Sequence, residues 1–156
     1  MNGITVLHVG DFKEQFFRDA ESEYIRRIRP FCDYRTVPLR EECTHGESSE
    51  KLILRALEKE AEQIRTRIPP RAYTIALCVE GTQCDSEEFS RILYECERPV
   101  CFIIGSSFGL DAELKKQCDL RLSFSKMTFP HMLARVMLAE QVYRACMINS
   151  GRKYHK

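Results

Sequence analysis

The sequence predicts an α/β fold with a largely parallel sheet flanked by helices, and three features of the chain lead to this class. Short apolar runs have the length of buried strands. Other segments carry apolar residues at every third or fourth position, as on one face of a helix. The two kinds of segment alternate along the chain, which favours βαβ units and, by default, a doubly wound sheet. With 156 residues, the chain is expected to form a single domain.

Five strands are predicted, and glycine or proline ends most of them. The run ITVLHV stops at Gly10, the second strand stops at Pro38, and YTIALCV runs to a turn at Gly81. The polar segment 39–47 that follows the second strand is expected to form a flap. The predicted strands are residues 4–9, 31–37, 73–79, 99–104 and 120–124.

The predicted helices begin at residues that are common at helix starts. Ser48 or Ser49 can cap the second helix. Asp85 followed by Glu88 has the pattern of a capping box. Pro130 has the favoured first position of the last helix. The longer helices are residues 13–29, 49–67, 85–97 and 130–149, and a short one follows Asp111.

The charge balance argues against bulk binding to nucleic acid. The chain has 24 Lys and Arg against 23 Asp and Glu, a net charge of +1. A protein that coats nucleic acid through charge alone would be more basic, so any RNA contact must come from a local patch. The N-terminal segment MNGITVLHVGDF lacks the features of a signal peptide, and no apolar run has membrane-spanning length. We therefore expect a cytoplasmic protein.

The eight cysteines are expected to stay reduced, because no secretory signal precedes them. They include no CxxC pair. Cys43 and His45 lie close in sequence, but no second ligand pair at zinc-finger spacing accompanies them. We therefore expect no metal site.

Three segments follow strands at the edge where parallel sheets bind ligands. They are residues 77–81, 105–109 and 125–130. The glycines at 105 and 109 allow a ligand to approach the backbone closely. GSSFG lacks the Lys of a P-loop and does not match GxGxxG, so an ordinary strand-to-helix turn explains it equally well. SKMTFP, taken alone, is also compatible with a plain helix start.

The last helix is apolar on almost every side. Its charged and amide residues between 132 and 148 are Arg135, Glu140, Gln141 and Arg144, and groups of this kind need partners. Such a helix must be covered on nearly all sides, whereas a one-domain sheet covers one face. We predict that the other face meets a second copy of the chain across a two-fold axis. A central helix within one chain is the alternative.

The chain ends in the basic and aromatic segment SGRKYHK. A short charged tail is usually solvated and without a role. Tyr154 and His155, however, are suited to stacking on an unpaired base, and Arg152, Lys153 and Lys156 can meet phosphates. The tail is therefore the predicted local RNA-binding patch.

Together these segments resemble the ribosomal RNA large subunit methyltransferase H family of small SPOUT enzymes. The resemblance spans the whole chain and includes SEEF at 86–89 and IIGSSFGL at 103–110. Its most specific part is LSFSKMTFPHMLARVMLAEQVYRA, from residue 122, followed by the closing YHK. The resemblance implies a homodimer and a single-domain SPOUT fold with a C-terminal trefoil knot over residues 72–149.

The resemblance also implies a cofactor and a substrate. Members of the family bind S-adenosyl-L-methionine between the knot loops. They methylate N3 of a pseudouridine in large-subunit (23S) ribosomal RNA on the assembled ribosome. Transferred residue by residue, the cofactor positions are Leu77, Gly105, Ser125, Lys126, Met127, Thr128, Phe129 and Pro130.

Three positions depart from the family pattern. Cys78 stands where an Asp commonly follows the loop leucine, Ser106 replaces the second glycine of an IGG motif, and Lys153 replaces the proline before YH. The first two are expected to adjust the geometry and affinity of the cofactor pocket without removing its backbone groups. The third changes the stiffness of the tail.

Methyl transfer from a sulfonium requires mainly that donor and acceptor be aligned and water excluded. Because N3 carries a proton, a base or a donor that stabilises the anionic carbonyls would help. We predict that Arg144, Tyr154 and His155 are catalytic, with His155 as the proton acceptor, because an ordinary histidine titrates near neutrality. His131, at the start of the last helix, is predicted to be structural or near the cofactor.

Other functions remain open from the sequence. A SPOUT enzyme could methylate another base or a ribose 2′-OH, although the YHK ending disfavours this. A non-catalytic ribosome-binding or assembly factor could have kept the fold, and Cys78 and Ser106 leave that reading open. A generic nucleotide-binding protein ranks third, because no phosphate-binding Lys accompanies the glycines.

Overall fold

The computed structural model describes residues 3–42 and 49–155, which contain one five-stranded sheet and five α-helices. The predicted α/β class is confirmed. The strands are β1 (Ile4–Val9), β2 (Tyr34–Leu39), β3 (Tyr73–Gln83), β4 (Val100–Ile104) and β5 (Leu120–Ser123). The helices are α1 (Gln15–Ile28), α2 (Glu50–Arg67), α3 (Ser86–Glu95), α4 (Ala112–Gln117) and α5 (His131–Asn149). In these residues, no helix combines the length and apolar character needed to cross a membrane.

All neighbouring strands are parallel, in the order β2-β1-β4-β3-β5. Their carboxyl ends therefore lie at one edge of the sheet. The predicted parallel sheet with flanking helices is confirmed, but the fourth strand lies between the first and the third. The order of segments along the chain does not predict such an insertion. The trefoil knot over residues 72–149 and the single-domain boundary stay predictions.

Each face of the sheet has its own core, because alternate residues of a strand point to opposite faces. Val100 and Phe102 of β4 pack with buried residues of α1, α3 and α5. Cys101 and Ile103 of the same strand pack with residues of α2 and α4. The sheet therefore has helices on both faces, as a doubly wound arrangement requires.

Most predicted helix starts are confirmed. Asp85 and Glu88 form the predicted capping box at the start of α3. The side chain of Asp111 accepts a hydrogen bond from the backbone N–H of Leu114 at 2.8 Å and so caps α4. Ser49 is the capping residue of α2, without a side-chain bond. The prediction for Pro130 was off by one residue, since it precedes the first helical position of α5.

The predicted bounds of two strands were wrong. β2 begins at Tyr34 rather than at residue 31, because the chain first completes a turn in which Phe31 N donates to Ile28 O at 2.8 Å. It then runs through Pro38. Proline is tolerated there because, among the described strands, β2 lies at the edge of the sheet with β1 beside it. β3, in turn, continues beyond Val79 to Gln83. Of the predicted flap 39–47, residues 43–47 lie outside the described residues.

Much of α5 is covered by its own chain. The helix packs against α1 and α3, and Leu138, Ala139 and Val142 are fully buried. Val136 and Met137 are half-buried. Helices α1 and α3 thus bury part of the α5 surface that was predicted to contact a second copy of the chain. The homodimer stays a prediction.

Candidate functional site

A cavity of about 750 Å³ lies at the edge of the sheet where β4 and β5 end. We call it the strand-end cavity. Its wall is formed mainly by segments 77–80, 104–110, 122–125 and 127–131. The structure therefore brings the three predicted loops together. The predicted cofactor residues in its wall are Leu77, Gly105, Ser125, Met127, Thr128, Phe129 and Pro130, whereas Lys126 is not part of the wall.

The first loop forms because β3 bulges out of the sheet and then returns to it. Leu77 and Thr82 both pair with Leu122 of β5, so the residues between them leave the ladder. Gly81 allows the return, since a Cβ at this position would lie 2.6 Å from the carbonyl carbon of Leu122. The bulge supplies Cys78, Val79 and Glu80 to the cavity wall.

The second loop is a tight turn from Gly105 to Gly109. The backbone N–H of Gly109 donates to the carbonyl of Ser106 at 2.9 Å. A Cβ on Gly105 would lie 2.1 Å from the carbonyl oxygen of Gly109, far inside contact distance. Glycine is therefore the residue that fits at position 105 without moving the turn.

Ser106, which departs from the family pattern, has a buried partner. Its Oγ donates to Oε2 of Glu60 at 3.1 Å. Oε1 of Glu60 accepts from the backbone N–H of Glu42 at 2.9 Å. The serine thus fastens the second loop to α2 and, through it, to the segment after β2. A glycine at this position would lack that bond.

The third loop leads directly into α5. Ser123 Oγ donates to the carbonyl of Ser125 at 2.8 Å, and Ser125 Oγ accepts from the backbone N–H of Met127 at 3.0 Å. The carbonyl of Pro130 accepts from Ala134 N at 3.0 Å, in the first turn of the helix. Met127 is 69 % exposed although it lines the cavity, so a ligand bound there would cover it.

The charge on the first loop comes from Glu80 and not from residue 78. Burial raises the pKa of the Cys78 thiol, and the nearby Glu80 carboxylate adds to this effect. Cys78 is therefore neutral at neutral pH. The hydrogen bond from Lys115 holds the pKa of Glu80 below its usual range. The departure at Cys78 removes one carboxylate from the cavity wall but leaves another close by.

A buried ion pair holds the start of α5. Arg135 is 3 % exposed; its Nε and Nη2 donate to the carboxylate of Glu21 at 3.0 and 2.6 Å. Nη1 donates to Asp11 at 3.3 Å, and the guanidinium lies 3.7 Å from the centroid of the Phe12 ring. The sequence indicated that Arg135 needs a partner, but only the packing of α1 against α5 identifies Glu21.

Two neutral histidines lie near Gly10. His8 Nδ1 is 2.7 Å from the carbonyl oxygen of Gly10, and burial, aided by the charge of Arg135, lowers the pKa of His8 to about 4. His131 lines the strand-end cavity, and burial lowers its pKa as well. The Nε2 atom of His131 is buried and has no hydrogen-bond partner among residues 3–42 and 49–155.

The three predicted catalytic residues lie together, with Glu140 at their centre. Oε1 of Glu140 accepts from Arg144 Nη2 at 2.5 Å and from the Tyr154 hydroxyl at 3.1 Å. Nη1 of Arg144 lies 3.5 Å from Nδ1 of His155. We call Glu140, Arg144, Tyr154 and His155 the tail cluster. Sequence reasoning gave no role to Glu140.

Aromatic contacts fix the ring of Tyr154 in the tail cluster. The Tyr154 ring meets the Tyr143 ring edge-on, with 4.8 Å between the two ring centroids. The Cζ atom of Arg144 lies 4.8 Å from the centroid of the Tyr154 ring. Burial, with a further contribution from the charge of Glu140, raises the pKa of Tyr154 to about 12. Tyr154 is therefore a protonated hydrogen-bond donor at neutral pH.

The tail cluster borders a second cavity, of about 580 Å³, which we call the α3–α5 cavity. His155 and Glu140 line it, together with apolar residues that include Val136 and Met137. It shares residues 122–124 with the strand-end cavity. Among the described residues, the three predicted catalytic residues lie outside the wall of the strand-end cavity. One chain thus places the predicted cofactor residues at one cavity and His155, alone of the predicted catalytic residues, at the adjoining one.

The remaining predicted residues lie at the surface or outside the described part of the chain. Arg152 and Lys153 are exposed, and the Arg152 guanidinium lies 5.3 Å from the centroid of the Phe31 ring. Lys156, Cys43 and His45 lie outside the described residues. Within residues 3–42 and 49–155, no group of three or more potential ligands is placed to hold a metal ion.

Residues 2–155 match the family described as "Predicted SPOUT methyltransferase". The chain is also similar over its length to curated relatives. Ribosomal RNA large subunit methyltransferase H 1 of Clostridium perfringens is 41% identical, with 98% of this chain and 99% of the relative covered. Ribosomal RNA large subunit methyltransferase H of Streptococcus sanguinis is 39% identical with the same coverage.

Two solved structures have a similar fold at low sequence identity. A probable methylase family protein from Haemophilus influenzae Rd KW20 has a TM-score of 0.55 and 12% identity, over 99% of this chain and 71% of that chain. TrmJ from Z. mobilis ZM4 has a TM-score of 0.50 and 13% identity, over 93% of this chain and 70% of that chain. At these identities the likeness concerns the fold alone.

Proposed function

This chain belongs to the SPOUT methyltransferase family, and from that membership we propose that it methylates N3 of a pseudouridine in large-subunit ribosomal RNA. The methyl donor is S-adenosylmethionine, and the substrate is the assembled ribosome in the cytoplasm. The observation that carries the proposal is the convergence of the three predicted cofactor loops on the strand-end cavity. The full-length similarity to relatives named for this ribosomal RNA supports the choice of substrate.

The strand-end cavity fits the cofactor in size and in lining. Its volume of about 750 Å³ lies within the range of about 300–1,000 Å³ that is typical of small-molecule sites. Leu77, Gly105 and the segment 125–130 would hold the cofactor largely through backbone groups. Glu80 and Lys115 also line the cavity, but they are paired with each other. When bound, the cofactor supplies a methyl group that its sulfonium already activates.

A homodimer is part of the proposal. Reacting atoms must approach to about 3–3.5 Å, yet the tail cluster lies outside the strand-end cavity of its own chain. A second copy of the chain would bring its tail cluster to the strand-end cavity of the first. Val136 and Met137 give the α3–α5 cavity an apolar wall for that copy to cover, and a two-fold axis is the simplest arrangement.

In the proposed reaction, the tail cluster handles the charge and the proton of the base. The guanidinium of Arg144 stabilises the negative charge that develops on the base carbonyls as N3 loses its proton. The ring of Tyr154, whose hydroxyl stays bonded to Glu140, stacks on the same base, and His155 takes the proton from N3. The residues proposed to contact phosphates are Arg152, Lys153 and Lys156.

Cofactor binding and the position of the added methyl group test the proposal. We expect calorimetry to detect binding of S-adenosylmethionine at micromolar concentrations. On ribosomes that lack the modification, we expect mass mapping to find a new methyl group at N3 of a pseudouridine. No binding at high micromolar concentration would favour a non-catalytic ribosome-binding factor. A methyl group on another base or on a ribose would identify a different specificity.

Substitutions in the tail cluster test the assignment of catalytic residues. At saturating cofactor, we expect His155→Ala to slow methylation by about 10²–10⁴-fold, as for loss of a general base. Arg144→Ala should cost about 10²–10³-fold, as for loss of a group that stabilises a developing anion. Neither should change the cofactor Kd. Arg67→Ala, at the exposed end of α2, is the control. A variant that keeps the wild-type rate would remove its residue from the chemistry.

A further inference from the structure

Glu140 has a central place in the tail cluster, although the proposed reaction assigns it no step. Its side chain is 18% exposed. One carboxylate oxygen accepts from both Arg144 and Tyr154, and the other accepts from Gln141 Nε2 at 2.7 Å. Gln141 in turn accepts from Ser86 Oγ of α3 at 2.8 Å. Glu140 therefore connects the last helix, α3 and the tail.

The tail needs such a connection because it leaves α5 at Asn149. Its backbone turns back through a bond from Arg152 N to Met147 O at 3.0 Å, and Tyr154 N then donates to Arg152 O at 3.0 Å. Beyond these turns, the bond to Glu140 ties the Tyr154 hydroxyl to α5. The same carboxylate fixes Arg144, whose guanidinium stacks on the Tyr154 ring.

A simple ion pair on the helix surface does not account for this arrangement. Glu140 and Arg144 do have the spacing of an intrahelical pair, and exposed pairs of that kind contribute little to stability. Here the carboxylate is largely buried and is shared between two residues from different parts of the chain. A shared acceptor couples the positions of both donors, so neither can reorient without losing part of the contact.

We propose that Glu140 is a positioning residue that holds Arg144 and Tyr154 in the geometry with which they meet the target base. This inference rests on the proposed function, since it assigns the role of Glu140 within the same site. Glu140 itself does not touch the reacting atoms. Within its own chain it lies outside the wall of the strand-end cavity, so it is not among the residues proposed to hold the cofactor.

Steady-state kinetics with ribosomes and S-adenosylmethionine test the role. We expect Glu140→Ala to lower kcat by about 10²-fold, the cost of misplacing reacting groups by about 1 Å, with the cofactor KM unchanged. Glu140→Gln keeps an oxygen acceptor in the same place and should retain most of the rate. Glu58→Ala, an exposed carboxylate on α2, is the matched control. A wild-type kcat for Glu140→Ala would overturn the proposal.

A double-mutant cycle separates positioning from a general structural role. If Glu140 acts through Arg144 and Tyr154, then Glu140→Ala should have almost no further effect on kcat in an Arg144→Ala, Tyr154→Phe background. Effects that multiply instead would show that Glu140 acts by another route and would overturn the proposal. If Glu140→Ala does not fold, Glu140→Met, which fills a similar volume without an acceptor, takes its place in the cycle.

Tyrosine titration keeps this inference distinguishable from the proposed function. If the wild-type protein methylates no ribosomal RNA, the proposed function fails, but the contact with Glu140 is still testable. The charge of Glu140 raises the pKa of Tyr154, so Glu140→Gln should lower it. Ultraviolet absorbance follows the ionisation, and Tyr154→Phe identifies the signal. An unchanged pKa in Glu140→Gln would show that the carboxylate does not hold Tyr154.

Discussion

Gly105→Ala should weaken binding of S-adenosylmethionine by about 5- to 150-fold, because overpacking of this kind costs about 1–3 kcal/mol. The added Cβ would lie 2.1 Å from the carbonyl oxygen of Gly109 and 2.4 Å from its carbonyl carbon. Both are backbone atoms, so the turn itself must move. Since this turn forms one wall of the strand-end cavity, the cost falls on the cofactor site. Calorimetry with the purified variant measures the change in Kd.

Gly109→Ala is the matched comparison within the same turn. Gly109 has a φ of +85°, so alanine there is strained, but its Cβ would meet no atom within 4 Å. We expect a smaller loss of affinity than for Gly105→Ala, because the added Cβ at position 109 strains one residue but does not displace the backbone on the other side of the turn. If Gly105→Ala bound the cofactor as tightly as wild type, the second loop would not be part of the cofactor site.

The position of the three loops could be read from the sequence because each depends on local signals. A strand, a glycine or proline and a following helix lie within a few residues of one another at 77–81, 105–109 and 125–130. Parallel strands then bring their ends to one edge. The bulge in β3 was not predictable, since it depends on the pairing of Thr82 with Leu122, a residue far along the chain.

The contacts that hold the site together depend on tertiary packing and were not predicted. The sequence marks Arg135 and Glu140 as polar residues in an apolar helix, which indicates that they need partners. It does not say that Glu21 of α1 meets the first, or that Tyr154 of the tail meets the second. Likewise, the sequence shows only that Ser106 replaces a glycine of the family pattern. The hydrogen bond from Ser106 to Glu60 is seen only in the structure.

Arg135→Met should lower the free energy of unfolding by about 3–5 kcal/mol, because it leaves a buried carboxylate without its charged partner. Glu21 is 6% exposed and takes both of its close hydrogen bonds from this guanidinium. Chemical denaturation of the purified variant measures the loss. Arg26→Met is the control, since its partner Glu23 is in contact with solvent and remains paired with Arg27. That variant should change stability far less.

The double variant Arg135→Met, Glu21→Leu separates the cost of the lone charge from the cost of lost packing. Apolar residues of similar volume often replace a buried ion pair without loss of stability, so most of the deficit of Arg135→Met should be recovered. If the double variant is as unstable as Arg135→Met, the unpaired charge of Glu21 is not the cause of the lost stability. It would then come from the contacts of Arg135 with Phe12 and Asp11, which neither substitution restores. In that case the start of α5, and the third loop before it, would depend on the guanidinium itself.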